Sequence, residues 1–176
     1  MARIIKDYKE NDIIYYLLDN TDYSDMEIAC DCQSPCSYNP KPEVGEVVEV
    51  SEVSGRYRKS LGKYSNKVVG VCCDPITYLV PSPENRFGTI NETEEPIDPG
   101  YIYYEKEDEY IPVAVSGRVR VKVTGLVSIG DLLASSHIPG YAMAVEYDRA
   151  HRGSIIGKCI EMTENEDEVI MQIFLG

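Results

Sequence analysis

Three cysteines stand close together near the start of the chain, and their thiolates could bind a metal ion. They are Cys30, Cys32 and Cys36. A fourth ligand would have to come from elsewhere in the chain, from Cys72, Cys73, His137 or His151. Structural zinc sites normally use paired Cys-x-x-Cys spacings, and the sequence has none. We therefore expect free or partly buried thiols, no metal ion and no cofactor, with a disulfide as the alternative.

The adjacent Ser136 and His137, together with His151, raise the question of a hydrolase. The sequence contains no Gly-x-Ser-x-Gly elbow to present a nucleophile and no glycine-rich loop to bind phosphate. His137 stands in the run Ser-Ser-His-Ile-Pro-Gly, which is typical of a turn. We interpret it as a turn histidine, and we find no sequence support for a catalytic triad.

A row of basic side chains, Arg118, Arg120 and Lys122, occupies alternate positions and would share one face of a strand. The chain as a whole is acidic, with 30 acidic residues against 17 basic ones and a net charge of -13. The row could therefore contact an acidic patch on a neighbouring subunit, or it could be an ordinary solvated strand face. The overall acidity argues against a nucleic-acid partner, because phosphate affinity depends largely on basic surface.

The element that would position these residues is the stretch 111–133. From Val113 to Val123 the odd positions are apolar except for Gly117, whereas the even positions are polar or small. This two-residue period predicts a strand with one buried face and one solvent-exposed face. The isolated Gly117 predicts a bulge or a bend, and the following Thr124 and Gly125 predict a turn into a further strand.

The rest of the chain also favours strands. Short runs rich in β-branched and aromatic residues recur between turn signals, and no capped segment shows sustained helical spacing. No apolar run approaches the length of a membrane span, and no secretory signal is visible, so we expect no membrane partner. We predict an all-β fold, a β-barrel or sandwich with long loops, the longest between Asp74 and Gly100.

The sequence also contains two pairs of similar segments, which suggest an internal repeat. The run VGEVVEVS from Val44 resembles IGDLLASS from Ile129, and VVGVC from Val68 resembles IIGKC from Ile155. The matched glycines are 25 residues apart in the first copy and 27 in the second. We predict a repeated strand-turn-strand unit, with halves around 44–73 and 129–160 bridged by the central strand. Residues 1–21 would form an N-terminal strand or arm, and 22–176 a single β-rich domain.

Several of these runs together carry a resemblance to a known family. They are PVAVSGRVRVKVTGLVSIGDLL from Pro112, IPGYAMAV, GSIIGKCIE and the closing VIMQIFLG, preceded by VGEVVEV and NKVVGVCCDP. This pattern, from about Asp22 to the end, resembles the C-terminal domain of phage tail-fibre and neck-appendage proteins, of the self-cleaving intramolecular-chaperone type. The resemblance implies a β-rich, trimerising domain that helps a fibre to assemble and is then released by cleavage.

In that family the cleaved bond precedes an Asp-Tyr-x-Glu motif, and Asp22-Tyr23-Ser24-Asp25 stands at that place here. The resemblance thus implies cleavage between Thr21 and Asp22, assisted by the Asp22 and Asp25 carboxylates, with Asp25 in place of the glutamate. Our expectation is a non-enzymatic structural protein of a phage virion or phage-like particle, a homotrimeric tail-fibre or appendage module in contact with other virion proteins. The alternatives are a capsid decoration protein and an autoproteolytic intramolecular chaperone.

Overall fold

The computed structural model describes residues 11–28, 36–74, 109–146 and 153–175, and in these ranges every regular element is a β-strand. The all-β prediction is confirmed. The strands are β1 (Asn11–Leu17), β2 (Glu27–Ile28), β3 (Cys36–Ser37), β4 (Val47–Val50), β5 (Tyr57–Lys59), β6 (Val68–Cys72), β7 (Tyr110–Lys122), β8 (Leu132–Ser135), β9 (Ala142–Ala144), β10 (Ile155–Met162) and β11 (Glu168–Ile173). Residues 75–100 of the predicted long loop lie outside the described residues. The described ranges contain no helix capable of crossing a membrane.

Within these ranges, nine antiparallel strands form one strongly curled half-barrel sheet. Eight of them follow the order β5-β4-β6-β7-β11-β10-β8-β9, and the ninth is β1. The first strand, β1, also pairs with β7, and β2 and β3 form a separate two-stranded ribbon. The long strand β7 is central because it contacts β1, β6 and β11. The expected bridging role of the central strand is thus seen in the pairing.

The internal repeat is present in the structure. On one side of the sheet β4 pairs with β5 and β6, and on the other side β8 pairs with β9 and β10. The backbone hydrogen bonds correspond as well. The Gly45 N–H donates to the Cys72 carbonyl at 2.8 Å, and the Gly130 N–H donates to the Cys159 carbonyl at 2.7 Å. We call the β4–β6 side copy 1 and the β8–β10 side copy 2.

In each copy the sheet curls back on itself, towards β1 in copy 1 and towards β7 in copy 2. A parallel bridge joins Leu18, at the end of β1, to Tyr57 of copy 1, and another joins Val123, at the end of β7, to Ala142 of copy 2. Tyr110 to Gly117 pair with β1, whereas Gly117 to Lys122 pair with β11. The strand β7 therefore serves as the last strand of copy 1 and the first strand of copy 2.

Two clusters of buried side chains form the core. The larger one consists of Val47, Val71, Cys73, Ala114, Val119, Val121, Val123, Leu133, Ala142, Ile156, Cys159, Val169, Met171 and Ile173. The smaller one consists of Leu18, Val48, Cys72, Ile111 and Val113. The smaller cluster combines Leu18 with residues of β4, β6 and β7. The larger cluster contains residues of both copies and therefore packs them together.

At Gly117 the central strand changes which of its faces joins the larger cluster. Before that position the even residue Ala114 belongs to the larger cluster, and after it the odd residues Val119 and Val121 do. Gly117 has a φ of 84°, and the β1–β7 register shifts beside it, between Asp12 and Ile13. The predicted bend is confirmed. The prediction of one solvent-exposed face along the whole strand is wrong at Ala114, because the first half of β7 lies between two clusters.

Candidate functional site

The two aspartates at the implied cleavage point are both exposed, on the turn that follows β1. The Asp22 carboxylate accepts a hydrogen bond from the Ser24 backbone N–H at 2.9 Å. This bond to Ser24 holds the pKa of Asp22 below its ordinary value. The carboxylate is thus directed forward along the chain to Ser24, and no described contact joins it to Asp25. On the other side of the bond, the Thr21 N–H donates to Asp19.

A buried carboxylate that the sequence did not indicate lies three residues earlier. Asp19 has no exposed surface. Its oxygens accept hydrogen bonds from the Ser51 hydroxyl at 2.5 Å, the Tyr23 hydroxyl at 2.6 Å and the Thr21 N–H at 2.9 Å. Burial raises the pKa of Asp19, but the hydrogen bonds from Ser51, Thr21 and Tyr23 outweigh it and lower the pKa to about 2. Asp19 is therefore charged at neutral pH.

A buried ion pair lies next to this carboxylate. Nε of Arg58 is 3.0 Å from Oε2 of Glu49, and their side chains are only 8% and 4% exposed. The second carboxylate oxygen of Glu49 accepts from the Ser65 hydroxyl at 2.9 Å. Nη1 of Arg58 donates to the Tyr23 hydroxyl at 3.5 Å, which connects the ion pair to Asp19. Burial lowers the pKa of Arg58, and the bonds to Tyr23 and Glu49 more than reverse that effect.

This ion pair forms the floor of a surface cleft. The cleft has a volume of about 430 Å³ and is lined by Glu49, Arg58 and residues 61–67. The loop 61–67 is tied to copy 2, because the Tyr64 N–H donates to the Ser135 carbonyl and the Ser65 N–H to the Ser135 hydroxyl. The cleft therefore lies where the two copies meet.

The basic row on β7 is largely engaged with acidic groups of its own chain. Arg120, whose side chain is half exposed, lies 3.4 Å from both Glu164 and Glu168. The less exposed Lys122 lies 2.8 Å from Glu43 and 3.5 Å from Glu46. Burial lowers the pKa of Lys122, and the two glutamates outweigh this and raise it. Arg118 is exposed on the same strand.

The turn after β7 carries the most exposed apolar residues among those described. Leu126 is 96% exposed and Ile129 is 65% exposed. The turn itself is ordered, since the Ser128 N–H donates to the Asp131 carboxylate and the Asp131 N–H donates to the Ser128 carbonyl. We call residues 125–130 the apolar turn.

The corresponding turn of copy 1 has the same internal bonds but different surroundings. There the Glu43 N–H donates to the Glu46 carboxylate, and the Glu46 N–H donates to the Glu43 carbonyl. This turn lies against β7, because the Lys122 N–H donates to the Gly45 carbonyl at 2.8 Å. The same local structure is therefore used as a packing contact in copy 1 and is exposed in copy 2.

The expectation of free thiols is confirmed for the three cysteines whose side chains are described. Cys72, Cys73 and Cys159 are buried free thiols, and burial raises the pKa of Cys72 and Cys73 to about 12. In the described part of the chain, no group of histidine, cysteine or acidic side chains is arranged to hold a metal ion. His137 is exposed in a turn, as predicted. The remaining metal-ligand candidates, Cys30, Cys32, His151 and the side chain of Cys36, lie outside the description.

Comparison with known proteins gives no match, whether to family models, to curated proteins or to solved structures.

Sequence reasoning missed the Glu49–Arg58 pair, because alternation in Val48-Glu49-Val50 places the glutamate on a solvated face. It also passed over the exposure of Leu126 and Ile129. Alignment of the two copies would have marked Glu49 as different, since the alanine Ala134 stands at the corresponding position.

Proposed function

We propose that the chain is a structural protein of a phage virion or phage-like particle, a trimerising β module of a tail fibre or appendage. The all-β fold and the resemblance carried by the runs from Pro112 onwards support this reading. The observation that carries it is the apolar turn, where Leu126 is 96% and Ile129 65% exposed to solvent. A stable virion part would cover such side chains in a contact with another subunit.

Burial of the apolar turn would supply a substantial driving force for association. Transfer of a leucine or isoleucine side chain from water to an interface contributes about 1.5–3 kcal/mol each. Three equivalent turns in a trimer would multiply this contribution. Copy 1 offers a model for such a contact within the chain, since its corresponding turn packs against β7 and helps to join the two copies.

The basic row lies directly before the apolar turn in the chain and would form the rim of the same contact. Arg120 and its partner Glu164 keep 50% and 73% of their side-chain surface exposed. Arg120 could replace Glu164 by a carboxylate of a neighbouring subunit with little loss of free energy, because exposed ion pairs contribute only about 0–1 kcal/mol to stability. Charges at a rim mainly set the rate and the specificity of association.

The test is the molar mass in solution, measured by light scattering coupled to size exclusion. The parent chain is expected to elute as a trimer, and Leu126→Ser/Ile129→Ser is expected to shift it towards the monomer. Val53→Ser is the matched control, because Val53 is also an exposed apolar turn residue, at 40%, and belongs to copy 1. A monomeric parent chain, or a double variant that stays trimeric, would contradict the proposed association.

The position in the particle needs a separate measurement. Mass spectrometry of separated tails and capsids should find the chain with the tails, in a copy number divisible by three. Recovery with tail-free capsids would instead favour the capsid decoration protein. Recovery with neither would reject the virion role.

A further inference from the structure

The Glu49–Arg58 pair is not required by the fold. In copy 1, Glu49 is the cross-strand partner of Arg58. In copy 2, the corresponding partners are Ala134 and Met143, which form the same strand pair without any charge. Buried ion pairs are often no more stabilising than apolar residues of similar size, so stability alone does not explain why copy 1 has one.

The cleft above this pair is open to solvent and large enough to hold a small molecule. Its volume of about 430 Å³ is within the usual range for small-molecule sites. Its wall is held in place from copy 2, and Tyr64 in that wall has a φ of 53°, in the left-handed region. Strained residues of this kind tend to cluster at ligand sites. The Tyr64 hydroxyl also accepts a hydrogen bond from the Glu146 N–H at 3.0 Å, which fixes its position.

The charges around the cleft indicate the kind of ligand. Three cationic side chains line it, Arg58, Lys63 and Lys67, against the single carboxylate of Glu49. This excess of positive charge stands out on a chain with a net charge of -13. Among the described contacts, Arg58 uses Nε for Glu49 and Nη1 for Tyr23. Its guanidinium group suits a carboxylate or a phosphate, which it can bind through paired hydrogen bonds.

We infer that this cleft binds a small organic anion of about the size of a sugar acid or sugar phosphate. Arg58 on the floor contacts the anionic group, and Lys63 and Lys67 hold it from the rim. Glu49, whose second carboxylate oxygen accepts from Ser65, orients the guanidinium group. The inference does not depend on the proposed trimer, because all of these residues belong to one chain.

The first test is a titration of the isotope-labelled protein followed by NMR, with glucuronate, glucose 6-phosphate and neutral glucose as probes. Glucuronate and glucose differ only at one carbon, which is a carboxylate in the first and an alcohol in the second. At least one of the two anions is expected to give saturable shifts of the amide signals of residues 61–67, and glucose none. A response to glucuronate alone identifies a carboxylate site, and one to glucose 6-phosphate alone a phosphate site. If neither anion gives saturable shifts, or if glucose matches them, the inference is wrong.

The second test transfers the apolar pair of copy 2 to copy 1. The variant Glu49→Ala/Arg58→Met is expected to fold and to lose about tenfold or more in anion affinity, the usual effect of removing a charged hydrogen bond. Lys63→Gln/Lys67→Gln changes only surface residues and is expected to weaken binding as well, so it decides the matter if the first variant does not fold. Lys158→Gln, an exposed lysine on copy 2, is the control and should bind like the parent. Parent-like affinity in both double variants would overturn the inference.

Discussion

The charge of Asp19 should make a measurable contribution to stability that disappears in acid. The perturbation is Asp19→Asn, which keeps the shape of the side chain but removes the charge. In the parent protein the carboxylate accepts hydrogen bonds from Ser51, Tyr23 and Thr21 in a fully buried position. The amide of the variant has one acceptor oxygen instead of two, so its NH₂ group would face either the Thr21 N–H or the Ser51 and Tyr23 hydroxyls, which all donate to Asp19 in the parent.

The size of the effect follows from the pKa. Folding lowers the pKa of Asp19 from 3.8 to about 2, because the three hydrogen bonds outweigh the effect of burial. A difference of one pKa unit corresponds to about 1.4 kcal/mol, so the charged carboxylate stabilises the folded state by about 2 kcal/mol. Because the folded pKa is the lower one, this contribution is complete well above pH 3.8 and is lost as the pH falls towards 2.

The assay is urea unfolding at a series of pH values in this acid range. Other carboxylates titrate in the same range, so the informative quantity is the difference in unfolding free energy between parent and variant. That difference should be largest near neutral pH and should shrink by about 2 kcal/mol by pH 2. Asp25→Asn is the matched control, since Asp25 is exposed and near in sequence, and it should follow the parent curve closely. A difference between Asp19→Asn and the parent that does not change with pH would refute the reasoning.

Two further predictions concern the core. Gly157→Ala should destabilise the protein by about 1–3 kcal/mol or more, because the new Cβ would lie 2.3 Å from the Gln172 carbonyl oxygen. Gly62→Ala meets no atom within 4 Å and should stay within about 0.5 kcal/mol of the parent, so equal unfolding free energies in the two variants would contradict the close approach. Cys72 and Cys73 should resist iodoacetamide in the folded protein at pH 8 and react after unfolding in urea, because burial raises the pKa of both thiols to about 12. Peptide mapping after alkylation checks this, and rapid labelling of either cysteine under native conditions would count against its burial.

The repeat could be predicted from sequence because the matched residues perform the same backbone task in each copy. Gly45 and Gly130 both donate their N–H to a cysteine carbonyl, that of Cys72 in β6 and that of Cys159 in β10. The conformation of such a turn depends on neighbouring residues, so the same short sequence pattern recurs in both copies. The pairing of β7 with three strands depends on residues far apart in the chain, and no local pattern specifies it.

The burial of Ala114 and Glu49 could not be predicted from alternation alone. Alternation shows that neighbouring residues face opposite sides, but it does not show what covers each side. Ala114 is buried because it packs in the larger cluster together with residues of copy 2. Glu49 is buried because the loop 61–67 folds over it and Ser65 satisfies its carboxylate. Both coverings are tertiary contacts, made by segments distant in sequence.

The shared strand β7 has a consequence for folding cooperativity. Copy 1 uses Tyr110 to Gly117 of β7 to pair with β1, and copy 2 uses Gly117 to Lys122 to pair with β11. Unfolding of either copy would therefore disturb a strand that the other copy also needs. Truncation between the copies would leave each fragment with an incomplete core, so neither is expected to be stable alone. The two copies are therefore expected to unfold in a single transition, as one thermodynamic unit despite their internal similarity.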